Sequence, residues 1–168
     1  MPNELPEIPP LLEALAARCA KLVASADDPA LVVGIRTGGL WVAEEIVARA
    51  GHSQPPYEID IGFHRDDFDQ RGLVGGGYPT RIEAIEDRGV LLVDDVIHSG
   101  RTIRAAMNAL FEFGRPRWIR LAVLADRSGR ALPIQPDFAA VQLDLPPDVR
   151  VKLRRDGALS WHLQEADA

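Results

Sequence analysis

The chain has 168 residues, 46% of them hydrophobic, which suits one globular domain, residues 1–168, with a full core. Its 19 basic and 25 acidic side chains leave a net charge of −6, which argues against a general polyanion binder. No apolar run approaches the roughly 20 residues that span a membrane, and the acidic start M-P-N-E-L-P-E has no secretory pattern. The only cysteine, Cys19, excludes an internal disulfide and points to a reducing cytoplasm.

In chain order, Leu11, Leu12, Leu15, Cys19, Leu22 and Val23 recur at helical spacing and predict an amphipathic helix closed by Asp27-Asp28-Pro29. Leu31 to Ile35 reads as a buried strand, followed by the turn Arg36-Thr37-Gly38-Gly39 and a helix over roughly 40–50. Glu58 to Phe63 alternates, with Ile59, Ile61 and Phe63 on one face, and reads as a second strand. Residues from Arg65 to Thr80 are polar and glycine-rich and read as a mobile loop, of a length that in a compact domain marks either function or disorder. Val90 to Val93 is a short apolar run, read as a strand buried on both faces. A helix from about Arg101 places Ile103, Ala106, Met107, Leu110 and Phe111 on one stripe, with Gly114 and Pro116 closing it. Trp118 to Ala125 is the next strand, ending at Asp126 and Arg127 as the earlier strand ends at Asp94 and Asp95. Three strand-like pieces follow between about 138 and 164, around Val141, Val151 and Trp161. The order β-α-β-β-α-β predicts a three-layer α/β architecture with a mainly parallel sheet.

The stretch from Val90 to Thr102, V-L-L-V-D-D-V-I-H-S-G-R-T, carries the most chemistry. Two acids at the carboxyl end of a buried strand stand where open α/β sheets bind ligands. The turn from His98 to Thr102, with the Ser99 and Thr102 hydroxyls, offers N–H donors for a phosphate at a helix N-terminus. Acceptors for sugar hydroxyls and donors for a phosphate, about a ribose apart, point to a ribose 5-phosphate site. In isolation Ser99 is an ordinary helix cap, and capping and phosphate binding draw on the same N–H groups.

This stretch resembles the phosphoribosyl-pyrophosphate signature of type I phosphoribosyltransferases. Four companions are similar to one subfamily, the bifunctional pyrimidine-operon attenuation regulators and uracil phosphoribosyltransferases. They are V-V-G-I-R-T-G-G (32–39), E-I-D-I-G-F-H-R-D-D (58–67), R-A-A-M-N-A-L-F-E-F-G-R-P (104–116) and L-A-V-L-A-D-R-S-G-R-A-L-P-I (121–134). Together they cover most of residues 30–140 in order. Two positions depart from the subfamily pattern: Gly38 stands where better-known members carry arginine, and His98 where tyrosine is common.

The resemblance implies the type I fold with a flexible lid loop, about 65–81, and a small hood. It implies transfer of ribose 5-phosphate from phosphoribosyl pyrophosphate to uracil, giving UMP, with Mg²⁺ held by Asp94, Asp95 and Asp126. Asp94, Asp95, His98, Ser99, Gly100, Arg101 and Thr102 are the expected phosphoribosyl pyrophosphate contacts. Arg36, Thr37, Gly38 and Arg130 are expected at pyrophosphate, in a loop where such enzymes use a strained or cis peptide. His98, Asp126 and Arg127 are expected at the base, and Arg65, Asp66 and Asp67 are expected to act in catalysis from the lid, which excludes water on closing. The implied assembly is a homodimer or dimer of dimers, without a membrane partner.

Two other readings stay open: a type I enzyme using another base, and a UMP-sensing RNA-binding attenuator. The second draws on residues 101–130, which hold seven arginines against two acids, a local charge of +5. A nucleoside triphosphate hydrolase is excluded, because no G-x-x-x-x-G-K-[ST] occurs and the only lysines are Lys21 and Lys152.

Overall fold

A computed structural model describes residues 5–62, 82 and 85–165. The elements, in chain order, are α1 (Ile8–Val23), β1 (Leu31–Ile35), α2 (Gly38–Arg49), β2 (Tyr57–Ile59), β3 (Gly89–Ile97), α3 (Arg101–Phe111), β4 (Trp118–Arg127), β5 (Phe138–Leu143), β6 (Val149–Asp156) and β7 (Ala158–Glu165). β2-β1-β3-β4-β5 form one sheet whose pairings are all parallel, while β6 and β7 pair antiparallel as a separate hairpin.

Alternation along the strands builds two cores, one on each sheet face. Val32, Leu91, Val93, Ala122 and Leu124 pack against Leu12, Leu15 and Cys19 of α1 and Val42 and Ile46 of α2. Leu31, Val33, Val90, Leu92, Leu121 and Val123 pack against Ile103, Ala106 and Leu110 of α3. The expected three layers are present, with β1, β3 and β4 in the interior of the sheet as their near-continuous apolar runs require.

Three local expectations are corrected. β3 does not end at Val93 but runs through both acids to Ile97, because β4 continues the ladder on one side as far as Ile97 opposite Asp126. That register also places Asp126 three residues further along the sheet than Asp94, which faces Val123, so the two acid pairs are not equivalent. β2 stops at Ile59, where the Asp60 side chain accepts the Gly62 N–H at 2.8 Å and bends the chain. Phe111, placed on the inward stripe of α3, is 57% exposed; it is the last helical residue, and Phe113 beyond it packs on the core instead.

Strand order positions the site. On its β1 flank, β3 is paired only as far as Val93, opposite Gly34. Chain leaving β1 turns into α2 and returns to β2 on the outer side, so β1 and β3 flank the topological switch point, where open α/β sheets bind ligands at the strands' carboxyl ends. The first turn of α2 lies directly on this ledge, since a Cβ at Gly39 would sit 2.5 Å from the Val93 carbonyl oxygen.

Candidate active site

Asp94 and Asp95 occupy the ledge where β3 has lost β1 but keeps β4. Leu92 and Ile97 face the same core although five residues apart, so the in–out alternation slips once between them. The acids account for the slip. Asp94 Oδ1 accepts the Asp95 N–H at 2.9 Å, and Asp95 Oδ1 accepts the Val96 N–H at 2.9 Å. Side chains thus take backbone donors that a regular ladder would use. Asp94 is buried, and burial pushes its carboxyl well above the usual carboxylate range, with the adjacent Asp95 charge adding to the rise.

The phosphate turn follows. Gly100 takes a left-handed conformation with φ 91° as the residue capping α3, and Ser99 Oγ accepts the Arg101 N–H at 3.2 Å. The Ser99 carbonyl accepts the Ala131 and Leu132 N–H groups, tying this turn to the chain after β4. His98 Nδ1 lies 2.7 Å from the Ser128 carbonyl oxygen, so that nitrogen carries the proton. A Cβ at Gly129 would overlap the His98 ring, so the glycine makes room for it.

A cavity of about 690 Å³ opens at this end of the sheet. It brings together Arg36, Thr37, Gly38, Asp94, Asp95, His98, Ser99, Thr102 and Arg127 of the residues anticipated from sequence. The Arg36–Thr37 peptide is cis, as the resemblance implied for this turn. Gly100 and Arg101 do not line the cavity: Gly100 is buried under the turn and the Arg101 side chain is exposed. Arg127 is buried; Nη2 donates to the Pro146 carbonyl at 2.7 Å, and Nε has no partner among the described residues.

Asp126 and Arg130 are not brought to this cavity. Arg130 Nη2 holds Asp126 Oδ1 at 2.6 Å, and its other nitrogens donate to the carbonyls of His98, Arg127 and Ile134. This guanidinium knits the loop after β4 together, and both residues line a separate, smaller hollow with Gln135 and Gln142. Arg65, Asp66 and Asp67 lie outside the described residues.

Several lining residues went unread in the sequence. Asp60, just past the end of β2, carried a readable signal as an acid closing an alternating strand. Trp41 of α2 and Arg150, Val151, Lys152 and Leu153 of β6 did not. The β6 alternation of cations with Val151 and Leu153 announces a one-sided strand, but nothing local says that the strand roofs a cavity.

Residues 3–151 match the phosphoribosyl transferase domain family. The Bifunctional protein PyrR of Nitrosococcus oceani is 42% identical over 144 residues, covering 84% of this chain and 81% of that protein. The protein of that name from Pseudomonas fluorescens is 40% identical over 163 residues, 96% of this chain and 97% of its own. Among solved structures, a purine phosphoribosyltransferase from Pyrococcus horikoshii aligns with a TM-score of 0.60 at 22% identity, covering 80% of this chain and 81% of that one. A hypoxanthine-guanine phosphoribosyltransferase from Bacillus anthracis aligns with a TM-score of 0.64 at 16% identity, covering 83% and 79%. At such identities the two structures speak for the fold alone.

Proposed function

The chain belongs to the phosphoribosyltransferase family, in its PyrR branch, and we propose that it transfers ribose 5-phosphate from phosphoribosyl pyrophosphate to uracil, giving UMP and pyrophosphate. One observation carries the reading: sugar-type acids, a phosphate turn and a second N–H-rich turn open on the same 690 Å³ cavity, a size suited to a nucleotide. The 5′-phosphate belongs at the N-terminus of α3, on the Ser99 and Thr102 hydroxyls and the backbone N–H groups between them. The ribose hydroxyls belong on Asp94 and Asp95. Pyrophosphate belongs at the start of α2, with Arg36 beside it, while Asp126 and Arg130 pair with each other at a neighbouring hollow.

That leaves the β6 side of the cavity for the base, with Arg127 and His98 at its edge. Breaking the bond from the anomeric carbon to pyrophosphate develops positive charge on the ribose and negative charge on the leaving group. The protein's work is to hold the base nitrogen in line with that carbon and to stabilise the departing charge. Arg65, Asp66 and Asp67 are assigned to the lid that excludes water during transfer.

The donor set fits Mg²⁺. Among the described residues no three acidic, histidine or cysteine side chains cluster as a closed metal cage. Two adjacent carboxylates beside a phosphate site are what a hydrated Mg²⁺ uses, drawing its other ligands from water and phosphate. Asp94 and Asp95 would hold it, and it would neutralise charge on pyrophosphate.

UMP formation from uracil and phosphoribosyl pyrophosphate, compared with orotate, hypoxanthine and guanine, tests the assignment. Turnover of a purine without uracil would keep the transferase and discard the base. The shared name of the relatives supports a second role in control of a pyrimidine operon. Nucleotide-stimulated binding to the operon leader RNA, followed across a salt titration, reads that role directly. A homodimer or dimer of dimers is the assembly to look for by sedimentation.

A further inference from the structure

The β6–β7 hairpin is fastened by the buried Val151 and Leu153 side chains and by three polar contacts, of which only the middle one lies in the part that roofs the cavity. At its root, Arg127 Nη2 donates to the Pro146 carbonyl, just before β6. Midway, the Leu153 N–H donates to Asp95 Oδ2 at 3.2 Å. Near the tip, Arg155 Nη2 meets Glu44 Oε2 of α2 at 2.6 Å, and the guanidinium lies 5.2 Å from the centre of the Trp41 ring. Trp41 lines the cavity, whereas Arg155 and Glu44 do not.

We propose that Arg155 is a positioning residue for the base: by clasping α2 through Glu44 and Trp41, it sets the height of the β6 roof over the sugar acids. This rests on the assignment of the base to the β6 side. Eight paired positions from Val149 to Asp156 make the hairpin a stiff lever. A contact at its tip therefore acts, together with the Leu153–Asp95 bond and the buried Val151 and Leu153 side chains, on where Arg150 to Leu153 sit. Arg155 is the tip contact of choice, because a planar guanidinium can stack on an indole while donating to a carboxylate, which an ammonium cannot match. The clasp also engages a ring that forms cavity wall, so wall and roof are tied together. The phosphate end is independent of it, held by the β3–α3 turn and its bonds to the chain after β4. Misplacement of the roof thus acts first on the base and reaches the sugar only through Asp95, while the 5′-phosphate turn stays in place.

The experiment compares wild type, Arg155→Ala and Arg155→Lys in full-length protein by steady-state kinetics, and by hydrogen exchange of the Leu153 amide without ligand. Arg155→Ala is expected to raise KM for the base about tenfold, with a clearly smaller rise in KM for phosphoribosyl pyrophosphate passed on through Asp95, the scale of a small misalignment at a reacting centre. Leu153 exchange should quicken in parallel. Arg155→Lys, which keeps the charge and loses the planar stack, should fall between the two. An unchanged KM for the base overturns the inference, as does an equal rise in both KM values, which would mean general loosening. If wild type turns over no base, the proposed function fails separately. Leu153 exchange then decides alone whether Arg155 holds the hairpin, and an unchanged rate overturns it.

Discussion

Gly38 stands where the family resemblance implies an arginine, and the structure supplies a reason for a residue without a side chain. A Cβ there would overlap the Asp95 carboxylate, whose Oδ2 holds the Leu153 N–H. Gly38→Ala is therefore expected to push Asp95 aside and raise KM for phosphoribosyl pyrophosphate by about tenfold in initial-rate kinetics. His98 is the other departure. Its Nδ1–H is spent on the Ser128 carbonyl, and Gly129 leaves room for the ring, so its contact with the loop is structural. His98→Tyr is expected to leave uracil the preferred base among uracil, orotate and hypoxanthine; a switch of base would mean that the ring reads the ligand. Cys19 lies in the α1–sheet core, and burial pushes its thiol up to about 12 from 9.0. It should resist thiol reagents until the protein unfolds. The unfolded chain loses the thiol proton first, so this group's contribution to stability is present below pH 9.0 and is lost as pH rises towards about 12. Denaturant midpoints should accordingly fall faster with alkali in wild type than in Cys19→Ala.

The strands and helices were legible because their apolar periods are strong, and their limits were not, because neighbours set them. Val90 to Val93 announces a buried strand, but β3 continues to Ile97 because β4 offers ladder partners that no local pattern reveals. The α3 stripe was right through Leu110 and failed at Phe111, where helix end and chain direction hand the core position to Phe113. Paired substitutions follow from that difference. Leu92→Ala, at a fully buried position in β3, should cost about 2–5 kcal/mol in denaturant unfolding. Phe111→Ala, at a side chain 57% exposed, should stay within about 0.5 kcal/mol of wild type.

Across the molecule, four of the seven arginines of residues 101–130 are paired or buried, while Arg101, Arg104 and Arg115 stay exposed. Arg117 pairs with Asp28, Arg120 with Asp137 and Arg130 with Asp126, while Arg127 is buried. Residues close in sequence were parcelled out to acids up to 89 positions away, so the local charge of +5 was a poor guide to surface charge. The assembled cavity makes a thermodynamic prediction as well. Phosphoribosyl pyrophosphate with Mg²⁺ at about 100 times Kd should stabilise the protein by about 2.7 kcal/mol. Thermal unfolding with and without chelator reads this, and a shift indifferent to chelator would remove Mg²⁺ from the site. No helix among the described residues is long and apolar enough to cross a membrane.

By itself the sequence determined the layers, the parallel strands and the motif from Asp94 to Thr102, since strand period, turn chemistry and helix start are local properties written in consecutive residues. Only the tertiary structure decided that β1 ends before Asp94 while β4 runs on, which opens the ledge. It alone turned Asp126 and Arg130 towards each other and brought Trp41, Asp60 and the β6 hairpin around the cavity. The reason is physical: a cavity is space between elements, and its walls are chosen by packing between residues far apart in the chain.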